Sequence, residues 1–386
     1  MKRSPLLSIF LIVLVDVMGL TIILPLLPFY AESMGATPST VGLLVSAYAF
    51  CQLIAGPPLG QLSDRVGRRP VLLVSQVGTF AGFLLLAYAQ TLWLVFAARI
   101  IDGLTAGNLT VAQAYISDVT EPQNRAKAFG LIGVAFSLGF LIGPALAGYL
   151  AQFGNHIPIL AAAGMSLASI LCTYFLLPGV PPHARPEQEK SRRWKIYIEA
   201  FKDGSLAPLL WQFFIFTFAF GMFISGFALF AERRFVYNSV PYGTKEVGYL
   251  FAYLGLVGIL VQGVIGLLVD TFGESRLVQI GFVAMACGFA VMSSVEYIPY
   301  VLVAITLLTF GNAVLRPSLT SLITQTVGRN RQGMTIGLMQ STMSVAQIVA
   351  PVVAGMMIEH QFLSAWAWSG GVVCGIGLSL IAAANR

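Results

Sequence analysis

Apolar residues gather along this chain into twelve runs of about 18–25 residues, each long enough to cross roughly 30 Å of hydrocarbon as a helix. The runs cover 6–29, 41–60, 71–89, 92–116, 127–150, 157–177, 207–230, 246–268, 277–295, 299–323, 333–358 and 364–384. The pattern predicts an all-α membrane protein with twelve transmembrane helices. The first run is too long for a cleaved signal peptide and leads directly into further runs, so it is expected to remain as a span.

The polar breaks carry the next layer of information. Residues 60–69, GQLSDRVGRR, set four charges and two glycines between the second and third runs. A weaker copy, GLLVDTFGESR, begins 206 residues later at Gly266. Asp64 then matches Asp270, Asn124-Arg125 matches Asn330-Arg331, and Pro144 matches Pro351, all at an offset of 206 or 207. Both halves hold an even number of runs, so the repeat is parallel, related by an axis along the membrane normal. The expected organisation is two pseudo-symmetric six-helix bundles, 1–177 and 206–386, joined by a polar linker, 178–205.

Composition agrees with this picture. The chain of 386 residues is 57% hydrophobic and only 10% charged, with a mean hydropathy of +0.82. A soluble domain carries roughly 25% charged residues. If the N-terminus is cytoplasmic, seventeen Lys and Arg fall on the inner side and three, Arg233, Arg234 and Lys245, on the outer side. The positive-inside rule therefore predicts that both termini are cytoplasmic in a cell (inner) membrane. The net charge of +6 reports topology and calls for no nucleic-acid partner. The four cysteines all lie within spans and read as small apolar residues.

The loop motif resembles that of the major facilitator superfamily, through Gly60, Asp64, Arg65, Gly67, Arg68 and Arg69. RIIDGLTAGN, with Arg99, is similar to that family's fourth-helix motif. GFLIGPALAG, with Gly139, Gly143 and Pro144, is similar to the fifth-helix motif of its antiporters. VDVMGLTIILPLLPFY and SAYAFCQLIAGPPLG resemble the twelve-span drug:proton antiporters, among them the tetracycline efflux proteins and the TETRAN-type organic anion transporters. The resemblance implies two bundles that rock about a central cavity. In one respect the chain departs from it: tetracycline exporters carry an acidic residue midway along span 3, where this chain has Gly82.

Four ionisable residues lie deep in spans, Asp16, Arg99, Asp102 and Arg316. A charge there costs several kcal/mol unless it is paired or faces water, so each is a functional candidate. Arg316 is expected to hold an anionic substrate group. Asp16, with Asp102 modulated by Arg99, is expected to take and release the coupling proton. The alternatives are a structural Arg99–Asp102 pair, and an Arg316 that serves carbonyls freed by Pro317. Gln52, Asn108 and Gln340 are candidate cavity residues, and Phe223 and Phe227 from the phenylalanine-rich span 7 are candidate walls for an aromatic substrate. Gly60, Asp64, Arg65, Arg68 and Arg69, echoed at Asp270, are expected to gate the inner face. Gly139, Gly143 and Pro144 are expected to let span 5 pack closely and bend.

No P-loop signature, HExxH or Cys/His ligand cluster occurs, so the chain is expected to be no enzyme, with no cofactor and no metal. The expected function is proton-coupled antiport that exports small amphiphilic organic compounds, organic anions favoured. The alternatives are efflux of cationic drugs, as for tetracycline-like substrates, or symport of a metabolite. The expected partners are that substrate, protons and the lipid bilayer, and the carrier is expected to be a monomer.

Overall fold

A computed structural model describes residues 5–120, 125–178, 204, 206–237, 239–327 and 332–384. The linker 178–205, except Pro178 and Gly204, lies outside the described residues, as do Asn124, Asn330 and Arg331. Thirteen α-helices appear among the described residues: α1 (Pro5–Glu32), α2 (Pro38–Val66), α3 (Arg68–Ala87), α4 (Leu92–Thr105), α5 (Asn108–Val119), α6 (Arg125–Leu150), α7 (His156–Leu176), α8 (Ala207–Arg234), α9 (Thr244–Phe272), α10 (Glu274–Ser293), α11 (Ile298–Thr326), α12 (Gln332–Glu359) and α13 (Leu363–Ala384). Twelve spans are long and apolar enough to cross a membrane, because α4 and α5 are two pieces of one, Leu92–Val119. A short antiparallel ladder, β1 (Val236–Tyr237) with β2 (Val240–Pro241), joins α8 to α9.

Local chemistry sets the helix boundaries. Thr37 caps α2, its hydroxyl accepting the Thr40 N–H at 3.3 Å, and Pro38 supplies the fixed φ of a first helical residue. The turns between α2 and α3 and between α9 and α10 each pass through one glycine at positive φ, Gly67 at 104° and Gly273 at 74°. A Cβ disfavours that region, so both charged breaks need glycine at the same repeat position. Each glycine N–H closes on the preceding helix, at Ser63 O (3.1 Å) and Val269 O (2.9 Å).

By contacts the chain forms two compact units, Met1–Pro186 with Ala231–Leu256, and Glu187–Phe230 with Val257–Arg386. In the first unit α1 packs on α6 and α7, α3 on α4 and α7, and α2 on α4. Its core includes Ile9, Ile12, Val71, Leu72, Val111 and Tyr115. Glycine makes these crossings close. The Thr21 hydroxyl donates to Gly139 O at 2.8 Å, and neither Gly139 nor Gly143 has room for a side chain against α1. Pro144 leaves the Phe140 carbonyl without its helical donor. That carbonyl lies against Gly255 of α9, where an added Cβ would stand 2.6 Å from the oxygen. Gly248 meets Pro144 O in the same way, also at 2.6 Å.

In the second unit α10 packs on α11 and α13. Here large rings fill the notches that glycines leave: Trp366 sits against Gly226, and Phe289 and Phe282 sit against Gly370 and Gly377. Phe230 and Trp366 pack with ring centroids 5.0 Å apart.

The α6–α9 crossing generates a test. Gly255→Ala is expected to lower the melting temperature of the purified protein in detergent, since overpacking against backbone costs about 1–3 kcal/mol. Gly263, also on α9, has nothing within 4 Å of its Cβ position. Gly263→Ala is therefore expected to leave the melting temperature unchanged or raise it.

Candidate functional site

The fourth span breaks at Ala106-Gly107, and the functional residues of the first unit collect around the break. Ser75 of α3 splints it: its hydroxyl donates to Thr105 O and accepts the Gly107 N–H at 2.9 Å. An interrupted helix at membrane depth needs such a partner, because no water is there to satisfy the freed groups. Gly78 makes the approach possible, since a side chain there would collide with Thr105.

Asn108 opens α5 beside Asp16. Asp16 sits eleven residues into α1, about 17 Å along the helix. The polar side chains grouped around it are Ser169 of α7, Gln76 of α3 and Asn108 of α5. Among the described residues no Lys or Arg forms an ion pair with it. Gln76 is fully buried and donates through Nε2 to Ser169 Oγ at 2.7 Å, and Ser166 Oγ donates to Gln76 O at 3.3 Å. A cavity of about 100 Å³ opens here, lined by Asp16, Tyr48, Gln52, Thr79, Phe83, Asp102, Asn108 and Phe136 among others. That volume holds several waters but is below the roughly 150 Å³ that takes a benzene ring. Gln52 donates to the Tyr48 hydroxyl at 3.3 Å.

Arg99 and Asp102 form a buried ion pair at 2.8 Å, three residues apart on one face of α4, and are 3% and 2% exposed. Thr79 of α3 lines the same cavity as Asp102. The guanidinium lies over the rings of Tyr48 (5.4 Å) and Phe83 (5.9 Å). Arg99 is thus held by one carboxylate and two rings, while its Nε is buried without a hydrogen-bond partner. Gly82 faces this pair: a Cβ at 82 would stand 3.1 Å from the Asp102 Cβ and 3.2 Å from Ala98 O.

At the charged break, Arg68 is buried and bridges three groups: Asp64 at 2.5 Å, Asp118 of α5 at 2.8 Å and Ser63 Oγ at 2.6 Å. Arg69 bonds the Tyr174 carbonyl near the end of α7 and stacks on that ring at 5.6 Å. Arg65 is exposed, and Gly60 is in ordinary contact with Thr110. The second copy keeps the turn but changes the charges. Among the described residues Asp270 stands exposed without an ion pair, and Glu274 occupies the position of Arg68. Glu274 accepts from Gln325 of α11 at 3.1 Å.

In the second unit Arg316 is exposed on α11, and its Nη2 reaches Met343 Sδ of α12 at 3.7 Å. Among the described residues no carboxylate pairs with it. Gln340 is exposed on α12. Phe223 and Phe227 do not wall a cavity. Both are 0% exposed, packed on each other at 5.1 Å in the core of the unit.

One cluster had no counterpart in the sequence reading. Arg233, at the end of α8, bridges Glu32 at 2.6 Å and Glu232 at 2.8 Å. Glu32 ends α1, so the two helix ends are clasped through one guanidinium.

The sequence model of the Major Facilitator Superfamily matches residues 9–351 and, in a second match, 242–384. The chain belongs to the Major Facilitator Superfamily. It is 29% identical over 373 residues to the tetracycline resistance protein, class B, of Escherichia coli, covering 94% of this chain and 90% of that one. It is 27% identical to multidrug resistance protein 2 of Bacillus subtilis, covering 97% and 95%. In structure it is similar to the human organic anion transporter MFSD10 (TETRAN), with a TM-score of 0.75 at 23% identity over 97% of this chain and 98% of that one. The relatives from both bacteria carry the names of resistance proteins, and the fold is that of a superfamily transporter.

The superfamily member's buried pair generates the second test. Removing one partner strands a buried charge, and Arg99→Met or Asp102→Leu alone is expected to cost about 3–5 kcal/mol of stability. The double variant is expected to recover most of that loss. Melting curves of the three purified proteins check it: equal losses in single and double variants would exclude the pairing.

Proposed function

We propose that this transporter is a proton-coupled antiporter that exports small amphiphilic organic anions by alternating access, with both termini in the cytoplasm and the carrier working as a monomer. The observation that carries the reading is the division of unpaired charge. The first unit holds a carboxylate, Asp16, in a small, mainly apolar cavity that admits water but no drug-sized molecule. The second unit holds a guanidinium, Arg316, whose contact is a thioether, a weak acceptor. Asp16 suits proton exchange with water, and Arg316 suits a carboxylate or sulfonate, for which its fork of donors is matched. Met343 then occupies the place of the anion between cycles, and Gln52, Asn108 and Gln340 supply neutral polar contacts. Asp102 and Arg99 set the field beside Asp16. The Asp64–Arg68–Asp118 bridge and Arg69 lock the inner ends of α2, α3, α5 and α7 while the carrier is open outward, with Gly60 and Arg65 at the same face and Asp270 in the equivalent turn of the second unit.

A second reading takes a cationic substrate at Asp16. It is favoured by the lack of a basic partner there and by the names of the resistance-protein relatives.

Inverted membrane vesicles with an acidic lumen test both. They are expected to accumulate carboxyfluorescein, with Asp16→Asn abolishing the effect of the pH gradient. Arg316→Ala is expected to raise the half-saturating concentration at least tenfold, about 1.4 kcal/mol of binding. Accumulation of ethidium instead, unaffected by Arg316→Ala, would establish the cationic reading. A gradient effect that survives Asp16→Asn would remove the proton role.

A further inference from the structure

A residue that carries a proton through an apolar span must be satisfied in two chemical forms. A carboxylate only accepts hydrogen bonds, whereas a carboxylic acid must also donate one through its O–H. Buried without that acceptor, the acid form carries its own desolvation cost, smaller than that of an unpartnered carboxylate but still enough to disfavour it. The shell around Asp16 has the parts for both forms. Asn108 lines the same cavity as Asp16, Gln76 is tied to α1 through Ser169, and each leaves its amide oxygen buried without a partner, Oδ1 and Oε1 respectively. Two unpartnered amide oxygens beside one carboxylate are costly unless something occupies them in another state. Gln76 is fully enclosed between α1, α3 and α7, so its oxygen cannot be served by bulk water.

We propose that Gln76 and Asn108 are positioning residues for the proton on Asp16: their amide nitrogens hold the carboxylate, and their amide oxygens accept the O–H of the acid. The proposal rests on the proton role of Asp16 given above. An amide exchanges donor for acceptor by turning about its last side-chain torsion, which is soft and nearly two-fold. Ser169 turns with it, since a hydroxyl both donates and accepts. The proton comes from water in the cavity and returns to water, and no other bond forms or breaks.

The remaining groups around Asp16 fit a single titrating site. Asp102 and Arg99 of α4 are spent on each other, and Tyr48 of α2 is the other titratable neighbour. From α3, α5 and α7 come neutral polar side chains, and from α6 the Phe136 ring lines the cavity. Asn108 is also the first residue of α5, where the helix N-terminus favours a nearby anion. Neutralising Asp16 therefore weakens the hold on α5, which links the proton to the break in span 4.

The experiment is infrared difference spectroscopy of the full chain in lipid, titrated between pH 4 and 9. The acid C=O band is assigned by its loss in Asp16→Asn. In Gln76→Met and in Asn108→Leu, separately, the band is expected to shift in frequency. Its titration midpoint is expected to move by about one pH unit, the scale of one hydrogen bond to a charged group. Asn108→Gln, which keeps the amide, is expected to restore both. A band unchanged in frequency and midpoint in both apolar variants would overturn the proposal while leaving Asp16 as the proton site. The absence of any Asp16 band would overturn the proton role as well. A midpoint that moves with sodium concentration would mean that the amide oxygens coordinate a cation, which also overturns it.

Discussion

The cost of a charge in hydrocarbon governs how this chain is put together. With 10% charged residues in twelve spans, each ionisable group at depth needs a partner or a wet surface. The four deep charges answer that demand differently. Arg99 and Asp102 neutralise one another and are closed off beneath Tyr48 and Phe83. Asp16 and Arg316 have no opposite charge in contact among the described residues. Asp16 has amides, a hydroxyl and a small cavity, and Arg316 has a thioether and an open face. A pair that is satisfied internally serves stability. A charge left incomplete is where an ion or substrate can be exchanged.

The same constraint shapes the backbone. A helix that spans the bilayer satisfies its own amides, so breaking it exposes groups that must be answered locally. In span 4 one hydroxyl, Ser75, answers both sides of the gap. The corresponding span of the second half, α11, runs unbroken for 29 residues. The halves thus share the glycine turns at 67 and 273 but diverge where chemistry is placed. The substitution of Glu274 for the position of Arg68 is a second divergence: the tie between neighbouring helices is kept, and its charge is altered.

What the sequence reveals follows from what is periodic or costly. Twelve apolar runs, the glycine turns and the Arg99–Asp102 pairing at a spacing of three are local features, and local spacing predicts them. Gln76 was not legible, because one glutamine near the start of an apolar run looks like a flank. Its importance comes from Ser169, 93 residues away. The break in span 4 was hidden for a related reason: LTAGN carries one glycine, and only the position of Ser75 shows that the gap is supported. Phe223 and Phe227 misled because a ring-rich helix has no single apolar face. Whether a ring is core or cavity depends on what the other helices of the unit place around it, and both of these rings are fully enclosed.

Gly82 joins these strands. The resemblance to tetracycline exporters expects a carboxylate on α3 at this position, and the glycine reads at first as a loss. In space the site is filled, because the Cβ of Asp102 stands 3.1 Å from where a side chain at 82 would begin. A carboxylate is therefore present at that level of the unit, but it is borne by α4 and neutralised by Arg99 from the same helix. An acid on α3 would add a negative charge to the cavity, whereas the Arg99–Asp102 pair adds none. The cavity is left with the charge of Asp16 alone, and that charge disappears when it takes a proton. A pocket whose charge can be cancelled in this way offers a cationic drug a weak and intermittent anchor. That is the physical reason the organic-anion reading, with recognition at Arg316, is preferred over tetracycline-like cation efflux despite the resistance-protein relatives.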